Sequence, residues 1–132
     1  MGKSERRKGV VGEQDVVKCF REYGFPDARR TGVAGQEDGD IASAGPYMVE
    51  VKRVERLDIP SWWAKLLGRA LAKDRIPLLV FRRSSEPWKV CVDLDYFLML
   101  TGGQMFAPGV EWKTSDIDEW VDEPSGPSPE ND

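Results

Sequence analysis

The chain contains no histidine, and only two cysteines stand among its 132 residues. Without imidazole, histidine acid–base catalysis, the Ser-His-Asp triad and most zinc sites are excluded together. Cys19 and Cys91 form no CxxC pair. They fit the reduced thiols of an intracellular protein better than a disulfide framework. Long apolar runs are missing too, since "PLLVF" and "YFLML" are far too short to cross a bilayer. The opening "MGKSERRKG" is charged and lacks the apolar core of a secretory signal. These absences predict a soluble, cytoplasmic protein. The length suits one domain whose core needs no metal or disulfide staple.

Charge of one sign is unevenly placed. The formal net charge is −4, yet residues 1–100 carry 18 Lys+Arg against 15 Asp+Glu, whereas residues 101–132 carry one lysine against eight acids. A mildly basic body with an acidic tail leaves a nucleic-acid partner open, because a local basic face sets that affinity.

Along the chain, residues 1–9 read as a basic, mobile arm. A helix over roughly 10–23 follows, its apolar stripe being Val16, Val17, Phe20 and Tyr23 at 3.6-residue spacing. Glu13 falls on that stripe. A carboxylate on an apolar face is costly unless paired, so Glu13 either meets an arginine or backbone amide or belongs to a functional cluster. A strand is expected at 27–31, then a glycine-rich loop, then strands at about 40–44 and 47–54 joined by a Gly45-Pro46 turn. A second helix at about 61–75 has Ser61 as its expected N-cap and Trp63, Leu66, Leu67, Ala70 and Leu71 as its stripe. "IPLLVFR" and "WKVCVDL" read as paired strands, and a short helix near 94–101 closes the body. The domain expectation is therefore a mixed α/β body with a basic arm over 1–101. An acidic Pro/Gly/Ser-rich tail follows over 102–132, in which Ser115 caps a short docking helix and the last eight residues are disordered.

The hairpin carries the chemistry. Side chains alternate along a strand, so Glu50 and Lys52 share one side of "VEVKR" while Val49 and Val51 take the other. The turn at 45–46 returns Glu50 to the neighbourhood of Asp40, where an inward-facing Glu13 could join them. Carboxylates within about 4–6 Å of one another raise each other's pKa unless a cation holds them. A hard divalent ion with oxygen ligands resolves that repulsion, and magnesium typically takes one or two carboxylates plus water and phosphate. A lysine alongside then suits a scissile phosphate and its attacking water. By itself an E-x-K strand is weak, since surface strands often alternate these residues as ion pairs.

"GE…VVKCFREYGF.DARR" followed by "GD-x9-EVK" resembles the PD-(D/E)XK nuclease superfamily, and within it the archaeal- and phage-type Holliday junction resolvases. The resemblance covers about residues 8–83. It implies a restriction-endonuclease-like fold, a mixed central sheet of about five strands flanked by helices. It further implies Glu13 as the helix-borne acid, Asp40 and Glu50 as metal ligands with the carbonyl of Val51, and Lys52 as the motif lysine. Magnesium or manganese as cofactor, DNA as substrate, a homodimer and paired cutting of a four-way junction follow from the same resemblance, as does a host-cytoplasm location if the chain is phage-encoded. Two departures stand out. The proline of the PD motif is Gly39 here, and no glutamine occurs between Gln36 and Gln104 to match the one many relatives carry on the second helix. Lys65 occupies that region instead.

Arg6, Arg7 and Lys8 of the arm, Arg30, Arg53, and the line Lys65–Arg69–Lys73 are the candidate DNA contacts, each also readable as a solvated face. Trp62 and Trp63 are adjacent, so only Trp63 is expected in the core. Trp62 is left to an interface, to DNA or to a sheet edge. The rival readings are a restriction- or repair-type nuclease of the same superfamily acting on duplex or flap DNA, and a non-catalytic DNA-binding protein that keeps the fold.

Overall fold

The structure is a computed structural model, and it describes residues 2–32 and 38–105. The elements in order are α1 (Lys3–Glu22), β1 (Arg29–Arg30), β2 (Ile41–Ala42), β3 (Tyr47–Arg53), α2 (Ile59–Ala72), β4 (Ile76–Arg82), β5 (Lys89–Cys91) and α3 (Leu94–Met105). The five strands form one sheet in the order β1-β2-β3-β4-β5. Only β3 and β4 pair in parallel, joined by the α2 crossover; the other three pairings are antiparallel. This is the mixed α/β architecture that the restriction-endonuclease-like expectation describes.

Two cores cover the two faces of the sheet. On one, Val16 and Val17 of α1 meet Ile41, Val49, Val51 and Val80, with Phe20, Phe25 and Trp88 packed around them. On the other, Leu66 and Ala70 of α2 meet Met48, Leu79 and Phe81, with Ile59, Trp62 and Trp63 alongside. The odd residues of β3 therefore face α1 and the even ones face α2, as strand alternation requires. Gly12 lets α1 approach closely: a Cβ there would come 3.2 Å from the Cβ of Arg53 and 3.3 Å from the Trp88 ring.

Several boundaries differ from the sequence expectation. The basic segment is not a loose arm but the first turns of α1, because its lysine, glutamate and arginine residues favour helix. Tyr23 lies beyond the helix end and is 83 % exposed, so it leaves the stripe. Helix α2 begins two residues before Ser61, with Asp58 at the N-cap position and Pro60 in the first turn, where its missing N–H is harmless. Leu71 is exposed rather than in the stripe, and both tryptophans, not Trp63 alone, are half-buried against the α2 core. The expected helix at Ser115 and the tail lie outside the described residues.

The described residues fall into two compact units, one ending at Val92 and one beginning at Asp93. In the second unit α3 carries Thr101, whose hydroxyl donates to the Phe97 carbonyl at 2.9 Å.

Candidate active site

The register of the β2–β3 ladder sets the geometry. Ile41 pairs with Val49, and Asp40, the residue just before β2, lies close enough to Glu50 for the two carboxylates to repel. The approach is locked by the main chain. The Asp40 N–H donates to the Val49 carbonyl at 2.7 Å, and the Thr31 N–H donates to the Asp40 carbonyl at 3.0 Å. The Thr31 hydroxyl donates to the Gly39 carbonyl at 2.9 Å. Gly39 has φ +83, and a Cβ there would sit 2.7 Å from the Val49 carbonyl oxygen. The departure from the PD motif therefore has a physical reason, because proline is fixed near φ −65° and cannot take this conformation.

Asp40 Oδ2 accepts the Val51 N–H at 2.8 Å, which fixes the carboxylate against β3. Glu50 and Lys52 project toward α2. The Lys52 ammonium lies 3.5 Å from Glu50 Oε2 and 5.5 Å from the centroid of the Trp62 ring, a cation–π contact. Arg69 of α2 donates from Nη2 to Glu50 Oε1 at 2.8 Å, and the Glu50 side chain is only 14 % exposed. On the α1 side, Arg30 donates from Nε to Glu13 Oε1 at 2.8 Å, which is how a glutamate on the apolar stripe is compensated.

The electrostatics converge on Asp40. Its carboxyl is pushed up to about 7, first by burial and next by the charge of Glu50, with Glu13 adding less. The Val51 N–H and the Lys52 ammonium oppose this shift without cancelling it. Both glutamates have arginine partners, whereas among the described residues the Asp40 carboxylate accepts only the Val51 N–H.

The donor chemistry suits a hard divalent cation. Asp40, Glu50 and the Val51 carbonyl offer oxygen ligands of the kind magnesium takes alongside water and phosphate, and such an ion would relieve the part of the Asp40 shift that comes from the charges of Glu50 and Glu13. Among the described residues, no three acidic, cysteine or histidine side chains converge as a ready metal cage. Glu13 and Glu50 are instead turned onto Arg30 and Arg69, on opposite sides of the sheet.

The other sequence-predicted cations are scattered. Arg6 and Arg7 are exposed on the first turns of α1. Arg7, Lys8 and Arg53 line one cavity of about 310 Å³ with Val11, and Lys8 also lies 3.7 Å from Glu55. Lys65 is exposed, and Lys73 lies 3.9 Å from Asp38. The α2 residue that reaches the site is thus Arg69, not Lys65. The basic line of α2, expected as DNA contacts or a solvated face, by itself gives no hint of this contact to Glu50. The available signal was spacing, since Arg69 directly precedes Ala70 and sits three residues after Leu66, the two buried positions of α2.

Comparison with known proteins gives both a family match and a structural one. A family model described as phage putative PDDEXK endonuclease matches residues 4–121. Among solved structures, the chain is similar to Hjc, a Holliday junction resolvase from the archaeal hyperthermophile Archaeoglobus fulgidus. That similarity is 24% in sequence identity, covers 64% of this chain and 72% of that one, and has a TM-score of 0.49. Among curated proteins no match was found.

Proposed function

The chain belongs to the phage putative PDDEXK endonuclease family, and from that premise we propose that it is a magnesium-dependent endodeoxyribonuclease that resolves four-way DNA junctions. The observation that carries the nuclease reading is the nearness of Asp40, just before β2, to Glu50 of β3, with Lys52 beside them. The junction as substrate rests on the sequence resemblance over residues 8–83.

In this reading Asp40, Glu50 and the Val51 carbonyl hold magnesium, or manganese in its place, with Glu13 as a further acid. The ion, when bound, supplies positive charge that offsets charge developing on the scissile phosphate. The remaining work belongs to the chain. Lys52, steered by Glu50 and the Trp62 ring, contacts a non-bridging phosphate oxygen and orients the attacking water. The Val51 N–H keeps the Asp40 carboxylate aimed. Arg6, Arg7, Lys8, Arg30, Arg53, Lys65 and Arg69 neutralise backbone phosphates. Paired cuts require two such sites, and the described residues provide one, so two copies related by a two-fold axis complete the enzyme.

The test is a magnesium-dependent cleavage assay on a four-way junction, a flap and a linear duplex of matched sequence. Symmetric paired nicks confined to the junction are expected. Equal cutting of flap or duplex would overturn the junction assignment, and no metal-dependent cutting on any substrate would overturn the nuclease reading.

A further inference from the structure

A groove of about 440 Å³ lies between α1 and the sheet's edge strand, lined by Gln14, Val17, Lys18, Arg21 and Arg30. Three of these five residues are cationic and none is acidic. The four on α1 are spaced i, i+3, i+4 and i+7, so they share one flank of the helix. Asp15 and Glu22 occupy the next flank, where burial and then their charges raise the Cys19 thiol. The groove lining is thus cationic, and Glu13, four residues before Val17, meets Arg30 of β1 at its end.

The two guanidinium groups are held in place. Arg21 donates from Nε to the Ala28 carbonyl at 2.8 Å, and Arg30 donates from Nε to Glu13 at 2.8 Å. These are their only hydrogen bonds among the described residues, so each group is tethered by one nitrogen with its terminal N–H groups left for another acceptor. A guanidinium fixed in this way loses less freedom on binding, and its planar fork matches the oxygens of a phosphate. Gln14 adds an amide donor and Lys18 a further ammonium.

We infer that this groove is a subsite for a second phosphodiester of the DNA whose scissile phosphate is held at Asp40 and Glu50, with Lys18 and Arg21 as its binding residues. The inference rests on the nuclease reading, because Arg30 links the groove to the Asp40 end of the site: it lines the groove, and the next residue, Thr31, donates its N–H to the Asp40 carbonyl. A polyanion in the groove therefore lies beside the site, whereas a free phosphate would gain nothing from that proximity.

The experiment is fluorescence anisotropy of the full chain with labelled four-way junction and linear duplex, in chelator, across a salt series. Lys18→Ala and Arg21→Ala should each weaken binding several-fold and each reduce the slope of log affinity against log salt by about one. Arg21→Lys should recover most of the loss. Lys89→Ala, on the opposite edge strand, should leave the slope unchanged. Because Arg21 also braces Ala28, thermal melts accompany each variant, and Lys18→Ala tests the groove without touching that brace. Wild-type slope and affinity in both alanine variants would overturn the subsite alone. Stabilisation by inorganic phosphate that disappears in the double variant, with DNA slopes unchanged, would overturn DNA as its ligand. Absence of DNA binding by the unmodified chain would remove the nuclease reading and the subsite together.

Discussion

Arg69 holds Glu50. Its Nη2 sits 2.8 Å from Glu50 Oε1, and Lys52 approaches the other carboxylate oxygen at 3.5 Å. A residue proposed to bind a metal is thus already neutralised by a side chain from α2, and Arg30 does the same for Glu13. The arginines stand where the site's negative charge would otherwise go uncompensated, so a divalent cation must compete with them.

This competition predicts the effect of Arg69→Gln. Removing the guanidinium leaves Glu50, among the described residues, with Lys52 as its cation and should tighten magnesium or manganese binding in the absence of DNA by about fivefold, equivalent to about 1 kcal/mol for this largely buried pair. Calorimetric titration of the metal, or Trp62 emission, reads it out. Unchanged or weaker metal affinity would show that Arg69 does not compete for Glu50.

Asp40 predicts a pH dependence of stability. Its carboxyl is raised from 3.8 to about 7 by burial and by Glu50. The folded state therefore binds this proton more tightly than the unfolded state does. The resulting stabilisation is complete below pH 3.8 and is lost as pH rises through about 7. Asp40→Asn keeps an acceptor for the Val51 N–H and carries no charge. In chelator it should be more stable than the parent chain at pH 8, by about 2 kcal/mol once screening is allowed for, with the difference shrinking toward pH 5. Urea unfolding at the two pH values measures this, and a difference independent of pH would refute it.

Much of this was legible in the sequence. The alternation of "VEVKR" and the Gly45-Pro46 turn were sufficient to place Glu50, Lys52 and Asp40, because a hairpin's register follows from its turn. "IPLLVFR" was legible as a strand from its apolar run alone. What escaped was tertiary. Nothing local says that Glu13 and Glu50 lie on opposite faces of the sheet, since that depends on which helix packs where. The role of Arg69 was hidden for the same reason: a cation at a helix flank looks identical whether it meets water or a carboxylate. The first turns of α1 were misread because a run of charges suggested solvation, although those same residues are strong helix formers.

Gly39 supplies a stability test. With φ +83 and a would-be Cβ 2.7 Å from the Val49 carbonyl oxygen, Gly39→Ala combines backbone strain with a clash against main chain that cannot give way. A loss of about 2–3 kcal/mol is expected. Gly39→Pro, which would restore the superfamily's usual residue, should be worse, because its φ is locked on the wrong side. Thermal melts of both variants decide the matter. A proline variant as stable as the parent would mean that the Gly39–Asp40 segment differs from the conformation described.

Lys52 separates chemistry from binding. Its ammonium is confined between Glu50 and the Trp62 ring, so its proposed work is at one phosphate rather than along the DNA backbone. Lys52→Ala removes one of several cations from the DNA face, and junction affinity should fall only a few-fold. Cleavage at saturating DNA should fall by at least about 100-fold, as when a positioned electrostatic group is lost. Lys52→Arg keeps the charge but replaces a compact ammonium with a wide planar fork, so it should restore binding and not cutting. Single-turnover cleavage alongside anisotropy distinguishes the two effects. A variant that cuts at the parent rate while binding less DNA would move Lys52 out of the reaction and into the backbone contacts.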